Sequence, residues 1–281
     1  MLTALRDLMQ PPPGLEFDFS QPRGEPALTP QDGISWQVFA NPVSLFIGGV
    51  AAVLLELAEP SVRSGVWDHS SFARDPQMRL KRTGFAAMMT VYGPRTETEK
   101  LIARVVRMHG YVNGTTPGGV AYRANDPRLL DWVQATATFG FSGAYDAYVR
   151  PLSRLEKDAA FAESAASAQL YGASGAPRTW AEWEALLAVT APQLEGSHVL
   201  EEFLRIMNEA PILPAPLRPL QRLLVRAAVQ ITPEPVRSLP QLQGRGLRTG
   251  EATIVRALAK MAGLLPLGDT PPRQAARRLA R

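Results

Sequence analysis

Arg79, Arg82 and Thr83 recur at i, i+3 and i+4 in the segment DPQMRLKRTGFAAMMTVYG, so one helical face would carry two guanidinium groups and a hydroxyl. Such a face is either an exposed basic edge whose side chains snorkel to water or the rim of a pocket. In a pocket, guanidinium groups pair with carboxylates and donate to bound oxygen, and a nearby hydroxyl holds them in position. A second candidate is His109, within RVVRMHGYVNG. Ile102, Val105, Val106 and His109 recur at offsets of three and four, which puts the imidazole on the apolar stripe of its helix.

A polar ring on an inward stripe needs a partner. Two readings of His109 stand side by side: a core imidazole bonded to a carbonyl, or a metal or haem ligand. A haem iron needs a single neutral imidazole on a rigid helix, with the opposite face left open for oxygen. The chain has three histidines in all. His69, in WDHSSF, lies in a turn-rich link and reads as a structural hydrogen-bonding residue, and His198, in LEGSHVLEEF, as a capping or surface residue. No H-E-x-x-H pair, G-x-S-x-G elbow, P-loop or G-x-G-x-x-G is present, so multi-histidine zinc chemistry and the common hydrolase and nucleotide motifs are not indicated.

The elements that must hold these residues read as helices. Residues 43–57 are apolar nearly all round, the mark of a helix enclosed by others, with Gly48 and Gly49 permitting close backbone approach. Asp75 before Pro76 opens the arginine-bearing helix, and Asp126 before Pro127 opens another. Thr96-Glu97-Thr98-Glu99 has the form of a capping box for the helix ending near Gly110, and Ser153 with Glu156 and Thr179 with Glu182 repeat the form. Further helices are expected over 199–208, 217–230 and 251–262, separated by proline-rich connectors. No alternating strand pattern competes, so the expected class is all-α, a single helical domain of about eight helices. Residues 10–42, rich in Pro, Gly and Gln, read as an arm laid over the surface or partly disordered.

Composition narrows the function classes. Lys and Arg total 30 against 26 Asp and Glu, but Arg273, Arg277, Arg278 and Arg281 crowd a C-terminal stretch without an acid. Setting those aside leaves a neutral body with no basic face for phosphates, so no nucleic-acid partner is expected. The chain has no cysteine, which excludes disulfides, thiolate metal sites and covalent haem attachment. The N-terminus lacks the apolar core of a secretory signal. The longest apolar run contains Glu56 and falls short of the roughly 18 uncharged residues that span a bilayer, so no membrane span and a cytoplasmic location are expected.

The stretch NPVSLFIGGVAAVLLELAEPSVRSGVWDHSSFARDPQMRLKRT is followed in order by RVVRMHGYVNG, YRANDPRLLDWVQAT and YVRPLSRLEKDAAFAESAASAQLYG. This ordered set, over residues 41–207, resembles the MpaB-type oxygenase family, which includes latex clearing protein, a rubber oxygenase. The resemblance implies a globin-like helical core that holds a non-covalent haem b, whose iron activates dioxygen against hydrophobic substrates, including cleavage of isoprenoid double bonds. The family's R-x-x-[KR]-T pattern falls on Arg79, Arg82 and Thr83, and its R-x-x-H histidine, the implied iron ligand, falls on His109, reached here from Arg107 at a shorter spacing or from Arg104 along the helix face. Many relatives have W-V-H where this chain has Trp132-Val133-Gln134, and His-Pro where it has Glu59-Pro60. Glu59 would then line the distal side and act as a base.

The expected organisation is an N-terminal arm over 1–40, a helical haem-binding domain over 41–265 and a basic C-terminal tail over 266–281. The expected function is a haem b-dependent oxygenase acting on a hydrophobic or aromatic small molecule and dioxygen. The substrate pocket would be formed by the 43–57 helix with Phe85, Met88 and Met89, and Arg79, Arg82 and Thr83 would order the distal side or the haem propionates. The alternative is a non-catalytic protein that binds haem or a hydrophobic ligand.

Overall fold

The computed structural model describes residues 11, 14–70, 75–264 and 268–280. The helices are α1 (Ile34–Phe39), α2 (Pro42–Ala58), α3 (Pro60–His69), α4 (Pro76–Tyr92), α5 (Arg95–His109), α6 (Pro127–Tyr148), α7 (Arg154–Tyr171), α8 (Trp180–Thr190), α9 (His198–Glu209), α10 (Arg218–Ile231), α11 (Glu234–Arg237), α12 (Glu251–Leu264) and α13 (Pro271–Leu279). The all-α class is borne out. Among the described residues the one strand pair, β1 (Asn113–Thr115) with β2 (Ala121–Arg123), forms an antiparallel hairpin between α5 and α6, which no alternating pattern in the sequence announces.

Proline sets most of the helix starts that matter. Pro42, Pro60, Pro76, Pro127 and Pro271 each occupy the first turn of a helix, where the missing N–H costs nothing. The side chains of Asn41, Asp75, Asp126 and Thr179 accept from the free N–H groups behind them, and Ser153 with Glu156 forms a complete capping box. The Thr96 to Glu99 box does not form. Helix α5 starts two residues earlier, with Pro94 at its N-cap, Thr96 N–H donates to Glu25 of the N-terminal arm at 2.7 Å, and the Thr98 hydroxyl donates to the Met89 carbonyl at 2.9 Å.

Helix α2 is the axis of the fold and lies along α6. At their crossing a Cβ on Gly48 would stand 2.7 Å from the Gly140 carbonyl oxygen, and one on Gly140 would stand 2.5 Å from that of Gly48, so both positions require glycine. Gly49 has room for a side chain, with only Phe141 nearby at 3.7 Å. Asn41 ties the start of α2 to α12 through a 2.8 Å bond to the Ala259 carbonyl.

Within the described part of the arm, Phe19 is fully buried and meets Phe17 edge-on at 5.1 Å. The Glu163 carboxylate receives the Ile34 and Ser35 N–H groups that start α1. The C-terminal segment folds back as α13, and its Arg278, completely buried, donates to the carbonyls of Phe19, Glu25 and Tyr92. Among the described residues no single helix is long and apolar enough to cross a membrane. The pair Pro42–Ala58 and Pro60–His69 passes that test of length and composition jointly, but is bent by 109°.

Candidate functional site

Helix α2 has no exposed residue, and α6 has none beyond Pro127 and Arg128 in its first turn, yet each keeps a stripe half open. On α2 the stripe runs Leu45, Gly49, Val53 and Glu56; on α6 it runs Gln134, Thr138 and Phe141. Steps of three and four residues make each stripe a single helical face. Phe141 beside Gly49 brings the two faces together. Together these partly open side chains make a largely apolar surface on the two helices, with Glu56 at one end of it.

Glu56 is surrounded by protein, and burial pushes its carboxyl up to about 7, an effect only partly offset by the positive charge of Arg79. Arg79, near the start of α4, is half-buried; its guanidinium is drawn below the usual arginine range by burial and by Arg82, while Glu56 acts in the opposite sense. Arg79 Nη1 donates to the Thr83 hydroxyl at 3.1 Å. Arg82 and Thr83 themselves are exposed, so the expected face turns only Arg79 inward.

His109 is the last residue of α5 and is half-buried. Of the stripe assigned to it, Ile102 is buried, whereas Val105 and Val106 stay partly open. The Nδ1 atom of His109 is inaccessible and has no hydrogen-bond partner, which leaves the carbonyl-bonded reading of that nitrogen without support. Burial, with the charge of Arg79 adding to it, holds the imidazole below its ordinary value and therefore neutral. Arg79 thus acts electrostatically on both Glu56 and His109, and one guanidinium links residues from α2, α4 and α5.

The structure gives several of the other expected residues different places. Glu59 does not belong to that surface: its carboxylate caps α3 through Val62 N–H at 2.7 Å and pairs with Arg128 at 3.2 Å. Met88 and Met89 belong to the packed core, and Phe85 packs against Phe17 and Phe19 of the arm at 6.5 and 6.4 Å. His69 closes α3 and its Nε2 lies 3.1 Å from the Tyr122 hydroxyl, a structural contact that seats the hairpin. His198 is exposed at the start of α9. The one sequence signal for Glu56 is its isolation as a lone carboxylate inside an otherwise apolar helix.

The described residues do not form a multi-ligand metal site. Among the described residues no three His, Cys, Asp or Glu side chains are grouped so as to hold a metal. His109 offers one imidazole whose Nδ1 is buried and unpartnered and on which the Arg79 charge acts, a single donor of the kind that a macrocycle with its own nitrogens would need from the protein.

No curated protein and no solved structure matches the chain. The family model described as "ER-bound oxygenase mpaB/B'/Rubber oxygenase, catalytic domain" matches it over residues 36–264, a span that begins in α1 and ends with α12 and so takes in Glu56, Arg79, Arg82, Thr83 and His109. With most of its length accounted for in this way, the chain belongs to the mpaB/rubber oxygenase catalytic-domain family.

Proposed function

We propose that the chain is a haem b-dependent oxygenase that acts on a hydrophobic small molecule with dioxygen as co-substrate. The observation that carries this reading is the buried, neutral and unpartnered His109 nitrogen beside Arg79. His109 would hold the haem iron, and Arg79 and Arg82 would pair with the propionates, with Thr83 fixing the bearing of Arg79. Bound haem supplies the activation of dioxygen that no side chain here provides.

The chain's own residues do the rest. The partly open Leu45, Val53 and Phe141 would offer apolar contact to the substrate. Glu56, poised near neutrality, holds or releases a proton at its carboxyl oxygen. Arg79 orients that carboxylate when it is charged.

Oxygen uptake tests the reading. Protein loaded with haem should consume dioxygen when given an apolar alkene, and release oxygenated product, whereas Glu56→Gln should slow turnover and alter its pH profile. Haem-loaded protein that consumes no oxygen with any of a panel of isoprenoid, fatty and aromatic substrates would support the binding-only alternative instead.

A further inference from the structure

A cleft of about 570 Å³ lies where the ends of α6 and α10 meet the start of α12. Its volume falls within the range of about 300–1,000 Å³ usual for small-molecule sites. Burial sorts the lining into two layers. Tyr148 is buried and Ala147, Ile231, Leu247 and Ala252 are half-buried, which makes an apolar floor. The Tyr148 hydroxyl is occupied by the Ala227 carbonyl at 3.0 Å, so this residue offers the cleft its ring. Gln230, Arg248, Thr249 and Arg256 are exposed and form a polar rim.

The rim carries donors in excess. Gln230 Oε1 accepts the Leu247 N–H at 3.2 Å, which leaves the N–H groups of its amide without a partner among the described residues. Arg256 Nε donates to the Ala147 carbonyl at 3.1 Å, and its two outer nitrogens make no hydrogen bond there. The Arg248 guanidinium makes none either; only its main-chain N–H is engaged, with the Glu251 carboxylate at 2.9 Å. Arg226 already clasps that carboxylate through Nε at 3.0 Å and Nη2 at 2.6 Å. The Gln230 carbonyl is likewise taken, by Arg237 at 3.1 Å. Among the described residues no carboxylate stands in the lining, so two positive charges and an amide face a space whose nearest acceptors are engaged.

We infer that this cleft binds an amphipathic anion, with a carboxylate or phosphate head held by Arg248, Arg256 and Gln230 and a short apolar chain or ring laid on Tyr148, Ile231 and Leu247. Guanidinium forks match either head with paired N–H···O bonds. A neutral alcohol of the same length leaves both charges unanswered, and an inorganic anion leaves the floor wet. Glu56, Arg79 and His109 do not line this cleft, so its ligand binds without haem.

Isothermal titration calorimetry of the full chain without haem, using octanoate and octyl phosphate, tests the inference. One molecule of either should bind per chain, and octanol and inorganic phosphate should bind at least roughly tenfold more weakly. Gln230→Glu keeps the acceptor that holds Leu247 and exchanges the unpartnered donor for a negative charge, and Arg248→Glu alters only an exposed side chain. Each should weaken octanoate binding by about tenfold or more. No saturable binding of either probe, octanol binding as tight as octanoate, or unchanged octanoate affinity in either variant would overturn the site. So would binding that survives Arg248→Glu and is lost in Arg79→Ala, because the anion would then sit beside His109 instead.

Discussion

Arg79 Nη1 donates to the Thr83 hydroxyl at 3.1 Å, and that hydroxyl donates to the Arg79 carbonyl at 2.9 Å, closing one turn of α4 on itself. Thr83→Val keeps the shape and removes the acceptor. Since Thr83 is exposed, the fold should lose less than about 1 kcal/mol in a denaturant titration. Haem affinity should nevertheless fall, and fall further in Arg79→Ala. Unchanged affinity in both variants would show that this face is a solvated edge.

Glu56 links stability to pH. Its carboxyl sits at about 7 in the folded protein against an ordinary value of 4.5, so the folded state binds the proton more tightly than the unfolded chain. Its contribution is therefore fully present below the unfolded value and is lost as pH rises through the folded one. Glu56→Gln should flatten that decline and be the more stable protein at mildly alkaline pH, by on the order of 2 kcal/mol. Denaturant midpoints measured across the interval check this; a slope identical to wild type would remove the carboxyl from its enclosed position.

Gly48 and Gly140 allow the backbones of α2 and α6 to touch. Gly48→Ala would press a methyl group to 2.7 Å from a main-chain oxygen that cannot swing aside. A loss of roughly 1–3 kcal/mol or more is expected in thermal or chemical unfolding. Gly49→Ala, one residue along, meets only a ring edge at 3.7 Å and should be nearly neutral or mildly stabilising, as the better helix former.

Arg278 holds the N-terminal arm, the end of α4 and α13 together through three carbonyls. Arg278→Met fills similar space but strands those acceptors, and should cost about 3 kcal/mol or more. Hydrogen exchange should rise first around Phe19 and Glu25. Protection there equal to wild type would mean that the arm is held by its aromatic contacts alone.

The helices were legible wherever their signals were local. Asp75 with Pro76, Asp126 with Pro127 and Ser153 with Glu156 act within one turn, and the structure uses each of them. The Thr96 box failed because a competitor from far away in sequence, Glu25, takes the Thr96 N–H. Glu59 was misjudged for the same reason, since its partner Arg128 lies on another helix. The hairpin escaped notice because three-residue strands with a Gly and Pro turn carry no alternating pattern. Part of the arginine and histidine chemistry could be read from spacing, but the role of Arg79 between Glu56 and His109 depends on how three helices converge. Burial, which sets the state of Glu56, has no local signature.

The absorption spectrum of haem-reconstituted protein, compared with that of His109→Ala, bears most directly on whether this chain grips iron through that imidazole. The wild type should retain haem through gel filtration and show a defined Soret band, and His109→Ala should lose most of the pigment or show a shifted band that added imidazole restores. Full haem content and an unaltered Soret band in His109→Ala would contradict the assignment.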